Sequence, residues 1–220
     1  MNEARQNNNQ SESNGHLAEI FRAINRYYEE VTIIKVTGEC PFGHKEGEKY
    51  KTTASNSDGL CGALYHAIHP CIVTLEYGGE ILWGDKAGGV RALCPEAEKV
   101  QVQIKRFENE NLDRHVKTNP SFRDMTGKGF PEIDNYRVFL EILNIEKSCL
   151  WGQKKGERYE IDPFNVGGIC GNLYRVVYSF NQMLLTGGGM PWEGDKNIVH
   201  GTCPDPFNLV SYRLTREERV

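Results

Sequence analysis

Cys40-Pro41-Phe42-Gly43-His44-Lys45-Glu46-Gly47 returns 109 residues later as Cys149-Leu150-Trp151-Gly152-Gln153-Lys154-Lys155-Gly156. The same interval separates Cys61 from Cys170 and Cys94 from Cys203. Aligned at that offset without a gap, about a third of residues 40–95 match residues 149–204, so the chain contains an internal duplication. A duplication sorts the residues. What both copies keep serves the shared fold or a shared chemistry, and what one copy keeps marks specialisation.

Working outward, each motif follows a β-branched or apolar run, Val31-Thr32-Ile33-Ile34-Lys35-Val36 and Val138-Phe139-Leu140-Glu141-Ile142. A two-glycine turn comes next (Gly43 and Gly47, Gly152 and Gly156), then a short strand through Tyr50 or Tyr159. Leu60, Ala63, Leu64, Ala67, Ile68, Cys71 and Leu75 share one helical face, and Ile169, Leu173, Val176, Val177, Phe180 and Leu184 repeat that stripe. Asp58 is expected to cap the first helix and Pro70 to kink it. Gly78-Gly79 and Gly187-Gly188 are expected to end the two helices. Val100 to Ile104 and Val210 to Leu214 alternate as closing strands with one wet face, the second after a one-residue insertion.

The expected fold is α+β: a tandem duplication of a β-β-α-β-β unit with pseudo-twofold symmetry, its helices on one side of mostly antiparallel sheets. A sheet continuous across both repeats is compatible with this pattern. The expected organisation is a disordered tail over 1–14 and a helix over 15–30, the latter carrying Leu17, Ile20, Phe21, Ile24 and Tyr27 or Tyr28 at helical spacing. Repeat 1 spans 31–106, a linker 107–135 and repeat 2 136–220.

At 220 residues with a net charge of −4, the chain offers no global basic field for nucleic acid. No apolar run approaches the roughly 20 residues that cross a bilayer. The Asn/Gln-rich start has no secretory pattern, so the expected location is the cytoplasm. Seven cysteines in such a setting point to thiols or metal ligands rather than to a disulfide scaffold. The tandem copies suit a monomer with pseudo-dimeric repeats, or a homo-oligomer.

The duplicated cysteines carry the sharpest chemistry. Cys40 follows a strand, Cys61 opens a helix and Cys94 ends a strand, so three sulfurs can meet at one edge of the unit. With His44 they compose a Cys₃His zinc set, and three thiolates alone can hold an iron–sulfur cluster. Cys149, Cys170 and Cys203 repeat the set with Gln153 in place of the histidine. In the first turn of a helix, Cys61 and Cys170 are expected to have lowered thiol pKa values. Cys61 and His44 are then candidate nucleophile and base. The competing reading is that the cysteines fill the core as small apolar groups.

Repeat 1 alone carries His66 and His69, opposite Arg175 and Tyr178, and these read as solvent-exposed helix histidines beside Pro70. Trp83 and Trp192 follow the glycine turns and read as core anchors or pocket walls. Tyr50, Tyr159, Tyr65 and Tyr174 read as buried tyrosines with bonded hydroxyls, and Lys45, Lys49 and Lys51 as a solvated face.

The run Cys40 to Gly47, with Gly59-Leu60-Cys61, Tyr77-Gly78-Gly79, Trp83, Cys94-Pro95, Pro191-Trp192 and Cys203-Pro204-Asp205-Pro206, resembles a small family of uncharacterised prokaryotic proteins. These occur as single units or tandem copies. The resemblance covers both repeats and implies no reaction, cofactor or fold. Three expectations follow: a protein binding or converting a small molecule near the repeat interface, a metal or iron–sulfur protein using the three cysteines of each repeat, or a non-catalytic binding or regulatory module with structural cysteines.

Overall fold

In a computed structural model of the chain, residues 19, 22–23, 25–84, 89–95, 99–110, 134–205 and 209–219 are described. Among them the order is β1 (Tyr27–Val36), β2 (Lys49–Thr52), α1 (Gly62–Glu76), β3 (Gly89–Leu93), β4 (Val100–Glu108), β5 (Tyr136–Ile145), β6 (Arg158–Ile161), α2 (Gly171–Leu185), β7 (Ile198–Thr202) and β8 (Val210–Glu218). This is the duplicated β-β-α-β-β unit. Each copy forms its own four-stranded antiparallel sheet, in the orders β2-β1-β4-β3 and β6-β5-β8-β7. The two sheets are separate rather than continuous.

The likeness extends to irregularities. The β1–β4 register slips between Ile33 and Lys35, and the β5–β8 register slips at the matching place between Ile142 and Asn144. Each extra residue sits beside the turn that carries Cys40 or Cys149, where a bulge bends the strand end. Strand β1 buries Glu29, Val31 and Ile33 and leaves their neighbours partly wet. Val100, Val102 and Ile104 do the same in β4, as the period of two requires.

Two boundaries differ from the sequence expectation. Tyr27 to Glu30, expected at the end of a helix, open β1 instead. Tyr27 pairs with Glu108 and Tyr28 with Phe107, on whose ring it stacks at 5.5 Å. A tyrosine pair fits a half-buried strand as readily as a helix stripe, and cross-strand pairing decides. Of the remaining helix, Glu19, Arg22 and Ala23 are helical, and the rest lies outside the described residues. Phe107 and Glu108 belong to β4 rather than to a linker, while 111–133 lie outside the described residues.

Both helices run for 15 residues, and α1 passes through Pro70. Their N-cap positions are Cys61 and Cys170, not Asp58. Asp58 sits in a loop at φ 52°, where its carboxylate accepts the Lys51 amide at 2.6 Å. The glycines end the helices as expected. Gly78 (φ 81°) and Gly187 (φ 88°) enter the left-handed region. The Gly79 and Gly188 amides then bond back to the Thr74 and Met183 carbonyls, each at 2.8 Å. Arg106 and Arg216, at matching places on β4 and β8, close the same ends. Arg106 donates to the Leu75 and Gly79 carbonyls, and Arg216 to those of Leu184 and Gly188. Each guanidinium also lies 4.8 Å from the ring of Tyr27 or Tyr136.

The repeats meet through their helix N-termini, and the contacts are reciprocal, as a twofold axis demands. The Gly62 amide donates to the Phe164 carbonyl at 2.5 Å, and the matching Gly171 amide to the Ser55 carbonyl at 3.0 Å. The Tyr65 and Tyr174 hydroxyls press against Gly171 and Gly62 respectively, so closely that a β-carbon on either glycine would sit 2.0 or 2.2 Å from the oxygen. Tyr65 also donates to the Thr53 carbonyl at 2.7 Å and Tyr174 to that of Asp162 at 2.8 Å. His66 stacks on Tyr178 with centroids 4.0 Å apart.

Candidate functional site

The motif Cys-x-x-Gly sets the local geometry. The Gly43 amide closes a turn onto the Cys40 carbonyl at 2.8 Å, and Gly152 does so onto Cys149 at 2.9 Å. Gly43 and Gly152 adopt φ values of 80° and 81°, which suit glycine. The turn drives the next side chain inward, so His44 is buried, with Phe42 at 4.8 Å and the edge of Tyr50 at 5.4 Å.

His44 is oriented from both sides. Its Nδ1 lies 3.2 Å from Glu48 Oε2 and 3.0 Å from the Tyr50 hydroxyl, which itself donates to Glu48 Oε2 at 2.7 Å. On the other side the Cys61 amide donates to Nε2 at 3.4 Å. A ring nitrogen that accepts carries no proton, so the network places the hydrogen on Nδ1, facing the carboxylate. Nε2 therefore directs its one lone pair at the start of α1, where the Cys61 amide now takes it. A carboxylate behind one imidazole nitrogen and a lone pair on the other is the arrangement that outer-shell groups impose on metal-binding histidines.

The three cysteines of repeat 1 gather at this end. The Cys61 sulfur interacts electrostatically with those of Cys94 and Cys40. In repeat 2, Cys203 interacts with both Cys149 and Cys170. None of the seven cysteines is in a disulfide. Cys94 and Cys203 occupy the same hairpin position, their amides bonded at 2.8 Å to the Val100 and Val210 carbonyls.

The expectation of lowered thiol pKa values is not met. Burial pushes Cys61 up to about 12, and Cys170 up to about 11. The helix start acts in the expected direction but loses to desolvation. The Leu64 and Ala63 amides favour the Cys61 thiolate, and Leu173 and Asn172 that of Cys170, although no capping hydrogen bond closes. Part of the Cys170 residue reaches solvent, and the Ser55 side chain of the other repeat also favours its thiolate, yet burial outweighs both. As metal-free groups both are neutral thiols near pH 7, which weighs against a free nucleophilic Cys61.

Among the described residues, no three or more His, Cys, Asp or Glu side chains stand in position to hold a metal ion. In repeat 2, Gln153 stands in for His44, accepting the Cys149 thiol at 3.9 Å, while Tyr159 donates to Glu157 as Tyr50 does to Glu48. Sequence reasoning missed Glu48 and Tyr50 as partners of His44. The available signal was their retention as Glu157 and Tyr159.

Other expectations divide. Tyr65 and Tyr174 are fully buried with bonded hydroxyls, and Lys45, Lys49 and Lys51 are exposed. His69 is not a surface histidine: it is 1% exposed, with Nε2 3.0 Å from the Ala54 carbonyl. Trp83 and Trp192 are not core, being 79% and 75% exposed. Where the helix N-termini cross, the repeat interface is filled by Tyr65 and Tyr174. No helix among the described residues is long and apolar enough to cross a membrane. Compared with known proteins, the chain matches no family model, no curated protein and no solved structure.

Proposed function

We propose that this is a tandem thiol-site protein that binds a thiophilic metal ion, such as zinc, through Cys40, Cys61 and Cys94, with His44 Nε2 as fourth ligand. The observation that carries the reading is the orientation of His44: Glu48 and Tyr50 hold Nδ1 so that Nε2 faces Cys61 at the helix start. Retention supports it. The three gathered cysteines survive in both copies, whereas Cys71, outside the cluster, is matched by Phe180. A cysteine that only packs is more readily replaced by another apolar group of similar volume. Amides directed at the Cys61 and Cys170 sulfurs stabilise charge that a neutral thiol lacks and a metal thiolate carries.

Binding draws Cys40 and Cys94 onto Cys61 and His44, and both lie at loop or strand ends where such a movement is local. Repeat 2, with Gln153, keeps three sulfurs and is the weaker site. A reducing compartment such as the cytoplasm keeps the thiols available. The two copies satisfy each other across the pseudo-twofold axis, so one chain supplies what single-unit relatives would need a dimer to build.

Cobalt(II) titration of reduced protein without oxygen tests this. Thiolate-to-cobalt charge-transfer absorption of a tetrahedral site is expected, saturating first at one equivalent per chain. Absence of that absorption, with the fold intact by circular dichroism, would overturn the reading.

A further inference from the structure

At the opposite end of α1, about 22 Å from Cys61 at 1.5 Å per residue, repeat 1 holds a second cluster that repeat 2 lacks. Glu29 on β1 is 0% exposed, and among the described residues neither carboxyl oxygen has a hydrogen-bond partner. Glu76, the last residue of α1, is also buried and bonds the Ala54 amide at 2.6 Å. The matching positions in repeat 2 are Val138 and Leu185, both buried in the apolar core. There the fold leaves only a small cleft between Val138, Asp162 and Leu185. The unit therefore needs no carboxyl at these positions. A buried carboxyl without a partner costs stability, and one that also feels the charge of a second costs more once ionised.

We propose that Glu29 and Glu76 form a proton-operated latch that seats α1 on β1 in repeat 1 while a carboxyl is protonated and loosens that helix end when both ionise. The groups around the pair come from every neighbouring element. Arg106 on β4 pairs across from Glu29 and attracts its charge, while its guanidinium already serves the Leu75 and Gly79 carbonyls. Tyr65 of α1 feels both carboxylates, and Tyr77 feels Glu76. Thr52 on β2 offers its hydroxyl to the Glu29 carbonyl, not to its carboxyl. His69 of α1 bonds the Ala54 carbonyl, while the Ala54 amide holds Glu76.

The direction follows from burial. Desolvation raises Glu29 from 4.5 to about 9, with the charge of Glu76 adding to it, and desolvation raises Glu76 to about 7. A carboxyl whose folded pKa lies above its unfolded value stabilises the fold fully below the unfolded value and loses that contribution as pH rises through the folded one. The latch thus weakens from neutral to alkaline pH. His69, lowered chiefly by burial, acts on the acid side, where its protonation opposes folding.

Amide hydrogen exchange tests this, with α2 as the internal reference in the same molecule. Between about pH 6 and about pH 9, after correction for intrinsic exchange, protection of the α1 C-terminal half should fall about tenfold relative to α2. The double variant Glu29→Val, Glu76→Leu, which carries the residues of repeat 2, should hold a constant ratio. Glu29→Gln, which keeps the shape and removes the charge, should shrink the fall to the part that Glu76 alone carries. A constant α1-to-α2 ratio in the unmodified protein, or an equal fall in the variants, would overturn the latch.

Discussion

Gly171→Ala is expected to destabilise the protein by about 3 kcal/mol, measured by denaturant unfolding, although alanine is the better helix former by about 1 kcal/mol. Sterics decide the sign. The added β-carbon would lie 2.0 Å from the Tyr65 hydroxyl and 2.7 Å from the Ala54 carbonyl oxygen. Tyr65 cannot yield freely, because it is 0% exposed and its hydroxyl is tied to Thr53 at 2.7 Å. Retreat of the helix would also break the Gly171 amide bond to Ser55 at 3.0 Å, so the damage falls on the junction of the repeats. Gly187→Ala is the control. Among the described residues, chain neighbours aside, nothing lies within 4 Å of a β-carbon added there, and its φ of 88° alone should cost about 1 kcal/mol. Equal effects of the two changes would show that the crossing of the helix N-termini does not carry the interface.

The second large effect concerns the thiol site. In the cobalt or zinc titration, Cys61→Ser should weaken the tighter site by about 10³-fold, roughly 4 kcal/mol, because the hydroxyl is a hard ligand in a soft set. Cys40→Ser and Cys94→Ser should act in the same direction. Glu48→Gln should weaken the site by about 10–100-fold by releasing the His44 ring, without touching a ligand. Cys71→Ser should leave affinity unchanged, since Cys71 lies outside the cluster. If Cys71→Ser and Cys61→Ser behave alike, the duplicated sulfurs have no special role.

The strands and helices of the unit were legible because hydrophobic period and turn glycines agree in both copies. Gly78 and Gly187 show this best, each stopping its helix through a left-handed φ. The helix starts were legible in part: Cys61 and Cys170 open the helices, as their N-cap residues. Asp58 looked like a cap, but its carboxylate is spent on the Lys51 amide, and the helix begins after Cys61. The gathering of sulfurs followed from element ends meeting at one edge, a matter of topology. Their protonation did not follow, because burial is a tertiary property that outweighs the helix start. Glu29 was hidden for the same reason. At a strand opening it looks like any exposed charge, and only the packing of α1 on β1 seals it. Trp83 erred in the other direction: bulk suggested core, whereas its loop carries it into solvent.

The most direct test of the thiol-site account is X-ray absorption at the zinc edge, on protein loaded with one equivalent of zinc without oxygen. The account predicts about three sulfur scatterers near 2.3 Å and one nitrogen near 2.0 Å, with the sulfur amplitude lost in Cys61→Ser. A first shell of oxygen and nitrogen alone, or a sulfur shell that Cys61→Ser leaves unchanged, would contradict it.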